Sequence, residues 1–291
     1  FRVYPLKNSW EFFYMEIIIY IAIAITGVVF GSFFTLAVYR IPRKENIVYI
    51  RSHCTTCGHK LNFWDLIPVF SYIFLGGKCR YCGEKIRIRY LLLEVFSGIV
   101  FLTLALTNGL EDIIYLVFVY LFMAGMFIIA GIDKENYKIP NGVIIYEFCI
   151  AIAYFILDIV SLFYSTITLD SVTNTALWNI IIYLSDKIIG AILIPLILLI
   201  INKLIEALLK DKEKSPIGYG DIKYLSVIGL MFGFPVQILG IVLSSIIGFM
   251  GFLIHKYKEI PWGYYLSIAT IIVLIISPYI QDLLELIKVW G

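Results

Sequence analysis

The chain has 291 residues, of which 61% are hydrophobic, and a mean hydropathy of +0.92. A single soluble core of this length could not bury so much apolar surface, so the composition excludes a soluble globular protein and indicates several membrane crossings. The formal net charge of +2 is small, and no nucleic-acid partner is expected.

Eight apolar runs predict membrane helices in chain order. A helix needs roughly 20 apolar residues to cross about 30 Å of hydrocarbon, and most of the runs approach this length. The predicted spans are 13–39, 90–106, 113–132, 143–160, 188–209, 222–234, 236–254 and 264–279. The expected fold class is therefore an all-α polytopic membrane protein. It divides into an N-terminal segment with the first helix (1–42), a polar insert (43–89) and a transmembrane core (90–291).

Two segments of this pattern are unusual. Residues 161–187 mix Ser, Thr and Asn with aromatic residues and are interpreted as an exposed loop, in which 178–184 is the candidate for an interfacial helix. The span 222–234 holds only thirteen residues before Pro235. Either the glycine-containing segment before this span dips into the membrane beside a protein-walled or wet cavity, or one helix continues through Pro235 with a kink.

The basic residues indicate an orientation. In a chain with eight alternating spans, all of the 23 Lys and Arg residues lie on one side except Arg2, Lys7, Lys187 and Lys288. Loops rich in Lys and Arg remain in the cytoplasm. We therefore expect the insert and the helix ends on its side of the membrane to face the cytoplasm, and both termini to lie outside.

The insert contains two CxxCG motifs, and twenty-one residues separate the two cysteine pairs. Each motif can present two thiolates to one ion, its glycine permits the tight turn, and the spacing is close to that of four-cysteine zinc sites. A cytoplasmic location disfavours disulfides. We expect a structural Zn²⁺ site, with an iron–sulfur centre as the alternative and His53 or His59 as substitute ligands. The expected ligands are Cys54, Cys57, Cys79 and Cys82.

The segment Gly218-Tyr219-Gly220-Asp221 places a carboxylate behind two glycines, just before the short span. Glycine permits backbone angles closed to other residues and leaves room for a second chain, such as a peptide substrate. The simpler interpretation is a turn followed by a helix N-terminus, which favours an acidic residue. Asp133, which ends the third span, could likewise be an interfacial charge at a helix end.

The predicted orientation relates these two aspartates to each other. Both are expected at one membrane face, each beside a break in the helices that contains Gly or Pro. Two close carboxyl groups can share one proton, so that one acts as a base on a bound water while the other polarises a carbonyl group. We therefore predict that Asp133 and Asp221 are a catalytic pair for acid–base peptide hydrolysis, supported by Gly218 and Gly220.

Two glutamates lie inside predicted spans, where an ionisable group is costly. Glu94 and Glu147 each stand about one turn inside the expected cytoplasmic edge. Each either has a functional role or pairs with a nearby cation, Arg89 or Lys138.

These motifs together resemble those of the bacterial type IV prepilin peptidases, also called prepilin leader peptidase/N-methyltransferases. The resemblance covers nearly the whole chain. The residue after Gly263 is Tyr264, where the family usually has Pro. The matching segments are Gly31-Ser32-Phe33, Tyr39-Arg40-Ile41-Pro42, the paired CxxC motifs, Pro68-Val69-Phe70-Ser71-Tyr72, Gly77-Lys78-Cys79-Arg80, Glu94, Asp133 with Ile139-Pro140-Asn141, Gly218 to Lys223, and Ile260-Pro261-Trp262-Gly263.

The resemblance implies a GxGD-type intramembrane aspartic protease in the bacterial cytoplasmic membrane. Such enzymes cut the basic leader from type IV prepilins or pseudopilins at the cytoplasmic face, after a Gly. Many then methylate the new N-terminus with S-adenosylmethionine. Carried over to this sequence, Asp133 and Asp221 are the catalytic pair and the four cysteines bind the metal, while Glu94 and the insert are the only suggestions for a cofactor site.

A basic leader also implies that acidic groups such as Glu135 and Glu147 help to dock it, and that its cleavage weakens as salt rises.

Without the resemblance, two other classes fit the chain. A proton-coupled transporter also needs intramembrane acids, although the chain has no self-similar halves. A non-enzymatic scaffold whose zinc insert binds a partner would leave the two aspartates unexplained.

Overall fold

A computed structural model describes residues 9–168, 174–209, 217–255 and 260–290. The chain forms two compact units, residues 1–112 and 113–291. The described residues are mostly helical and contain isolated β-bridges but no strand. The helices are α1 (Ser9–Arg40), α2 (Phe70–Phe74), α3 (Arg89–Asn108), α4 (Ile113–Asn136), α5 (Asn141–Thr168), α6 (Asn174–Ile188), α7 (Ile194–Leu209), α8 (Tyr219–Phe232), α9 (Phe234–His255) and α10 (Trp262–Trp290).

Seven spans in the described part of the chain are long and apolar enough to cross a membrane. They are α1, α3, α4, α5, α9, α10 and the continuous segment in which a π-helical turn, Ile189–Leu193, joins α6 to α7. The eighth predicted span is α8, whose 14 residues extend only about 21 Å along the helix axis. The predicted all-α polytopic fold, with a small four-cysteine insert between the first two long helices, is confirmed.

In the first unit, α1 and α3 pack closely through small residues. A Cβ atom added to Gly27 would lie 2.8 Å from the carbonyl oxygen of Ser97, so only glycine fits there. The Ser97 hydroxyl donates a 2.8 Å hydrogen bond to the carbonyl oxygen of Gly27. Such contacts hold apolar helices together where no hydrophobic driving force remains. The insert connects the C-terminal end of α1 to the N-terminal end of α3.

The predicted loop at 161–187 is wrong. Helix α5 continues to Thr168 and α6 begins at Asn174, so the candidate interfacial segment 178–184 is part of α6. The polar side chains are satisfied within the helices, because Ser161 and Ser185 donate to carbonyl oxygens three residues earlier, at 2.8 Å in both cases. The charged residues 210–214, which follow the predicted span 188–209, lie outside the described residues.

The interpretation of α8 and α9 as one kinked helix is also wrong. Gly233 has φ of +85°, a conformation that ends α8, and a new helix starts at Phe234. Pro235 therefore lies in the first turn of α9, where its missing N–H costs no hydrogen bond.

Two adjacent charged residues at the end of α6 stabilise this break. The Lys187 ammonium donates a 2.6 Å hydrogen bond to the carbonyl oxygen of Met231, in the last turn of α8. The Asp186 carboxylate accepts a 3.0 Å hydrogen bond from the N–H of Phe234, at the start of α9. From the sequence, Lys187 is expected on the external side of the membrane. In the structure its side chain is buried and caps the C-terminus of α8.

Candidate active site and metal centre

The four cysteines of the insert form one cluster. Their sulfur atoms all lie within 4.8 Å of one another, and the Sγ atoms of Cys54 and Cys82 are 3.9 Å apart. A tetrahedral zinc ion with Zn–S bonds of about 2.3 Å requires S···S distances of roughly 3.8 Å. None of the cysteines in the described residues forms a disulfide. The donor set and its spacing therefore fit a structural metal ion.

Each cysteine pair sits in a matching turn. The N–H of Gly58 donates to the Cys54 carbonyl oxygen and the N–H of Gly83 to the Cys79 carbonyl oxygen, both at 2.9 Å. The two glycines have φ of +70° and +73°, so the conformational role predicted for them agrees with the structure. The histidines beside the first pair lie outside the cluster, and the His59 ring stacks on Tyr81 with centroids 3.6 Å apart.

The thiols differ in their electrostatic surroundings. A hydrogen bond from the backbone N–H of Cys57 is the main cause that lowers the pKa of Cys54 to about 6. At Cys82 the backbone N–H of Glu84 lowers the pKa of the thiol. Burial and the hydrogen bonds with the three other thiols raise it, and the resulting pKa is about 12. Four thiolates at this distance repel one another, so a divalent cation would stabilise the cluster.

Asp65 ties the second cysteine turn to the rest of the insert. Its carboxylate accepts hydrogen bonds from Arg80 Nε at 2.7 Å, the Tyr81 hydroxyl at 3.0 Å and the N–H of Asn62 at 3.1 Å. Burial alone would raise the pKa of Asp65, but these donors lower it below its ordinary value. Arg80 and Tyr81 lie between Cys79 and Cys82, so Asp65 fixes the loop that carries two of the candidate ligands.

Glu94 has a structural contact in the same unit. It lies on α3, is 8% exposed, and its Oε2 accepts a 2.8 Å hydrogen bond from the N–H of Val69. Val69 has φ of +64°, which is strained for a β-branched residue. Glu94 thus holds the strained turn that begins α2. It is engaged in this contact and presents no open surface to a cofactor.

Asp133 lies in the last turn of α4 and is only 4% exposed. Its Oδ2 accepts a 3.0 Å hydrogen bond from the backbone N–H of Tyr264, in the first turn of α10. The backbone amide of Gly263 also interacts with this carboxylate. Asp133 therefore stands at the N-terminus of α10, where unpaired N–H groups and the helix dipole favour a negative charge.

Helix α8 begins after its N-cap residue, Gly218, and Asp221 lies in its first turn, where the carboxylate interacts with its own backbone N–H. Its carboxylate interacts with the amide of Gly263 and with the charge of Asp133. Its Oδ1 atom is buried and has no hydrogen-bond partner among the described residues. The structure thus brings the two predicted aspartates together at one helix N-terminus, with an open buried acceptor on one of them.

The two glycines before Asp221 provide space rather than unusual backbone angles. Neither has a positive φ, and Gly218 has φ of −61°. A Cβ atom on Gly218 would lie 2.5 Å from Oδ2 of Asp221, and one on Gly220 would lie 3.3 Å from Cβ of Ile139. Any larger residue at 218 would displace the Asp221 carboxylate. The conformational reason expected from the sequence is therefore wrong. The space at these glycines is next to Asp221 and Ile139 of the same chain, and room for a peptide substrate stays a prediction.

Sequence reasoning missed the α10 turn as part of the site. Gly263 and Tyr264 contribute backbone amides, which no side-chain pattern displays. A buried relay supports this turn: the Tyr224 hydroxyl donates to Ser267 Oγ at 2.9 Å, and Ser267 donates to the Gly263 carbonyl oxygen at 2.8 Å. Tyr264 is the residue that could have indicated this turn, because it has a backbone N–H that the Pro usual in the resembled family lacks.

Glu135 and Glu147, the two glutamates expected to dock a basic leader, differ in solvent exposure. Glu135 is exposed, two residues beyond Asp133. Glu147 is completely buried, beside Gly125 on α4, and neither of its carboxylate oxygens has a hydrogen-bond partner among the described residues. The expectation that Glu147 helps to dock a soluble leader is therefore wrong, and its expected pairing with Lys138 is absent from the described contacts.

Two family models match the chain, one in each compact unit. The bacterial peptidase A24 N-terminal domain matches residues 25–108, and the type IV leader peptidase family matches residues 120–254. A relative from Pseudomonas putida is 26% identical over 89% of this chain and 92% of its own length. A relative from Vibrio cholerae is 28% identical over 89% of this chain and 97% of its own. Both relatives are named prepilin leader peptidase/N-methyltransferase. No solved structure matches the chain.

Proposed function

Since this chain belongs to the type IV leader peptidase family, we propose that Asp133 and Asp221 are the catalytic pair of a membrane aspartic endopeptidase. Its substrates are type IV prepilins or pseudopilins, from which it removes the basic leader after a glycine. The observation that carries this proposal is the meeting of both carboxylates at the amide of Gly263. Such a pair, at a helix N-terminus with room kept by Gly218, can bind and activate one water molecule.

The two aspartates have different partners, and this difference supports the roles that we propose for them. Asp133 accepts a backbone N–H at a helix N-terminus, which stabilises a negative charge, so it acts as the base. Asp221 keeps the shared proton on its unpartnered side and acts as the acid. Asp133 takes a proton from water as the water oxygen bonds to the scissile carbonyl carbon, and Asp221 protonates the carbonyl oxygen.

The tetrahedral diol then collapses. The C–N bond breaks, the leaving amine takes the proton held by Asp133, and one hydroxyl of the diol returns its proton to Asp221. Both residues are thereby restored, and no covalent intermediate forms. The amides of the α10 turn hold the Asp133 carboxylate throughout, since their hydrogen bonds do not depend on the substrate.

We also propose that the pair faces the cytoplasm of a bacterial cell and that both termini lie on the opposite side of the cytoplasmic membrane. Lys134, one residue beyond Asp133, and Lys223, two beyond Asp221, are exposed beside the site. Basic residues are retained on the cytoplasmic side. Eight helices, counting α8, return the chain to the side from which it started.

Zn²⁺ is the proposed ion of the four-cysteine cluster, where it would cross-link the two cysteine turns of the insert. Methylation of the new N-terminus with S-adenosylmethionine is proposed from the names of the relatives. We assign no residue to that step, because Glu94 is engaged with Val69. Transfer of a labelled methyl group to a cleaved pilin by the purified protein tests this activity.

The experiment that tests the peptidase is cleavage of a purified prepilin in detergent by the native chain, Asp133→Asn and Asp221→Asn. Each substitution keeps the shape of the side chain and removes an acid–base group, so the cleavage rate should fall by about 10²–10⁴-fold. The matched control is Asp158→Asn, an aspartate of α5 assigned no role in cleavage, which should retain the native rate. Native-like cleavage by both site variants would contradict the pair, and a native chain that fails to cleave would favour the transporter or scaffold.

A further inference from the structure

One segment of the insert is apolar and yet exposed. Residues 63–75 contain a single charged residue, Asp65, which is paired with Arg80. Several large side chains nevertheless point into solvent, with Trp64 70% and Phe74 83% exposed. We call these side chains the aromatic face: Phe63, Trp64, Phe70, Ile73 and Phe74. Three of them, Trp64, Phe70 and Phe74, line one open cavity of about 630 Å³.

The fold holds the aromatic face in its exposed position at a cost. Helix α2, which carries Phe70 and Phe74, starts from the strained turn at Val69, and buried Glu94 fixes that turn. Asp65 fixes the start of the segment through three hydrogen bonds. A segment free to relax would turn these rings inward, because burial of a Phe side chain is favourable. The exposed arrangement is therefore built in, which indicates a surface that covers it.

The position and charge of the insert identify that surface. The insert is tethered at both ends to membrane-crossing helices, by Arg40 at the end of α1 and Arg89 at the start of α3, so it stays close to the bilayer. Its only acidic residues are Glu45, Asp65 and Glu84. Its basic residues are three times as many: Arg43, Lys44, Arg51, Lys60, Lys78, Arg80, Lys85, Arg87 and Arg89.

We propose that the aromatic face inserts into the interface of the adjacent leaflet, with the surrounding cations bound to anionic lipid headgroups. Trp is suited to this depth because its ring is largely apolar while its N–H can face the wet boundary, Phe adds apolar area, and basic residues near an anionic leaflet are attracted to its surface. A basic leader peptide would instead be repelled by these cations. This membrane contact is independent of the proposed cleavage chemistry.

The test uses the full chain in lipid nanodiscs, with Trp64 as the only tryptophan after replacement of the other four by Phe. Lipids brominated near the headgroup quench tryptophan only at short range. When brominated lipids replace unbrominated ones, Trp64 emission should fall by about twofold in anionic nanodiscs and by less in zwitterionic nanodiscs. Zinc content, measured on the same sample, reports whether the insert remains folded.

Phe74→Ser and Tyr49→Ser provide the matched comparison. Both residues are exposed aromatics of the insert, 83% and 86% respectively, but only Phe74 belongs to the aromatic face. Phe74→Ser should reduce quenching of Trp64 by brominated lipid at least severalfold relative to Tyr49→Ser. The proposal is overturned if brominated lipids leave Trp64 unquenched while an aqueous quencher reaches it, or if quenching is equal with both headgroups. The first result would assign the aromatic face to an occupant other than lipid, and the second would exclude the binding of the surrounding cations to anionic headgroups.

Discussion

The carboxylate of Asp133 is held by a backbone group that exists only because residue 264 is not proline. Tyr264 donates its N–H to Oδ2 at 3.0 Å, and its ring and hydroxyl contact the ammonium of Lys134. The neighbouring Gly263 leaves room for the Asp133 carboxylate. At the residue scale, the site thus depends on the shape of one helix turn as much as on its two acids.

Gly263→Ala tests this dependence. The added Cβ would lie 2.7 Å from Cδ1 of Ile139, which can rotate away, and 3.1 Å from Oδ2 of Asp133, which must shift. We expect the turnover number for prepilin cleavage to fall about tenfold or more, because small displacements of a reacting group are costly. Gly142→Ala is the control, since a Cβ there meets no atom within 4 Å. Equal turnover by the two variants would show that the α10 turn does not position Asp133.

Asp65→Asn tests the support of the metal centre. The lowered pKa of Asp65 means that its stabilisation is present above the unfolded value of about 3.9 and is lost as pH falls through the lower folded value, so it is fully present at neutral pH. The substitution should weaken zinc retention against a competing chelator at pH 7 by about tenfold. Glu84→Gln, which removes an exposed charge near the same cysteine turn, should retain zinc like the native chain. Equal zinc loss from both variants would refute the role of Asp65.

At the scale of elements, α8 is short because both of its ends are determined by other helices. Its first turn carries Asp221, and its last turn is closed by Lys187 from α6. Gly229 and Gly190 bring α8 into backbone contact with the π-helical turn, where an added Cβ on Gly190 would lie 3.0 Å from the Gly229 backbone. The axial position of Asp221 therefore depends on contacts at the far end of the same helix.

Lys187→Met tests this clamp. Methionine preserves most of the length and apolar contact of the side chain but removes the cation that pairs with the Met231 carbonyl oxygen. The free energy of unfolding, measured by denaturant titration in mixed micelles, should fall by roughly 1–2 kcal/mol. Lys203→Met, at an exposed position of α7, should change it little. A Lys187→Met protein as stable as the Lys203→Met control would show that the buried cation does not stabilise the break.

At the scale of the whole molecule, a formal charge of +2 conceals an uneven distribution of charge. The insert is strongly basic, whereas acidic Glu135 is exposed two residues beyond Asp133. Glu135 is the acidic group near the dyad that we expect to attract a basic leader, against the repulsion of the exposed Lys134 and Lys223, and this attraction is screened over about 8 Å at physiological salt.

Salt dependence tests that attraction. The kcat/KM for a prepilin in a fixed detergent should decrease as salt rises, and Glu135→Gln should make the decrease shallower. Glu147→Gln should leave the slope unchanged, because that carboxyl group is completely buried. Cleavage that does not respond to salt, or a normal slope in Glu135→Gln, would exclude Glu135 from leader docking.

The sequence by itself predicted the long apolar helices, the four-cysteine cluster and the two aspartates as candidates. These features are local, because apolar runs, CxxCG spacing and Gly-rich turns are properties of short segments. Polar residues at 161–187 misled the prediction, since Ser and Thr can satisfy their hydroxyl groups on the carbonyls of their own helix.

Only the tertiary structure decided which groups meet. It joined Asp133 and Asp221 at an amide of α10, engaged Glu94 with a strained turn and buried both Glu147 and Lys187. Each of these outcomes depends on contacts between segments distant in the chain. Many of these contacts are to backbone C=O groups, which every residue possesses, or to N–H groups, which only proline lacks. Such groups leave no mark in the sequence, and their direction is fixed only when the helices pack.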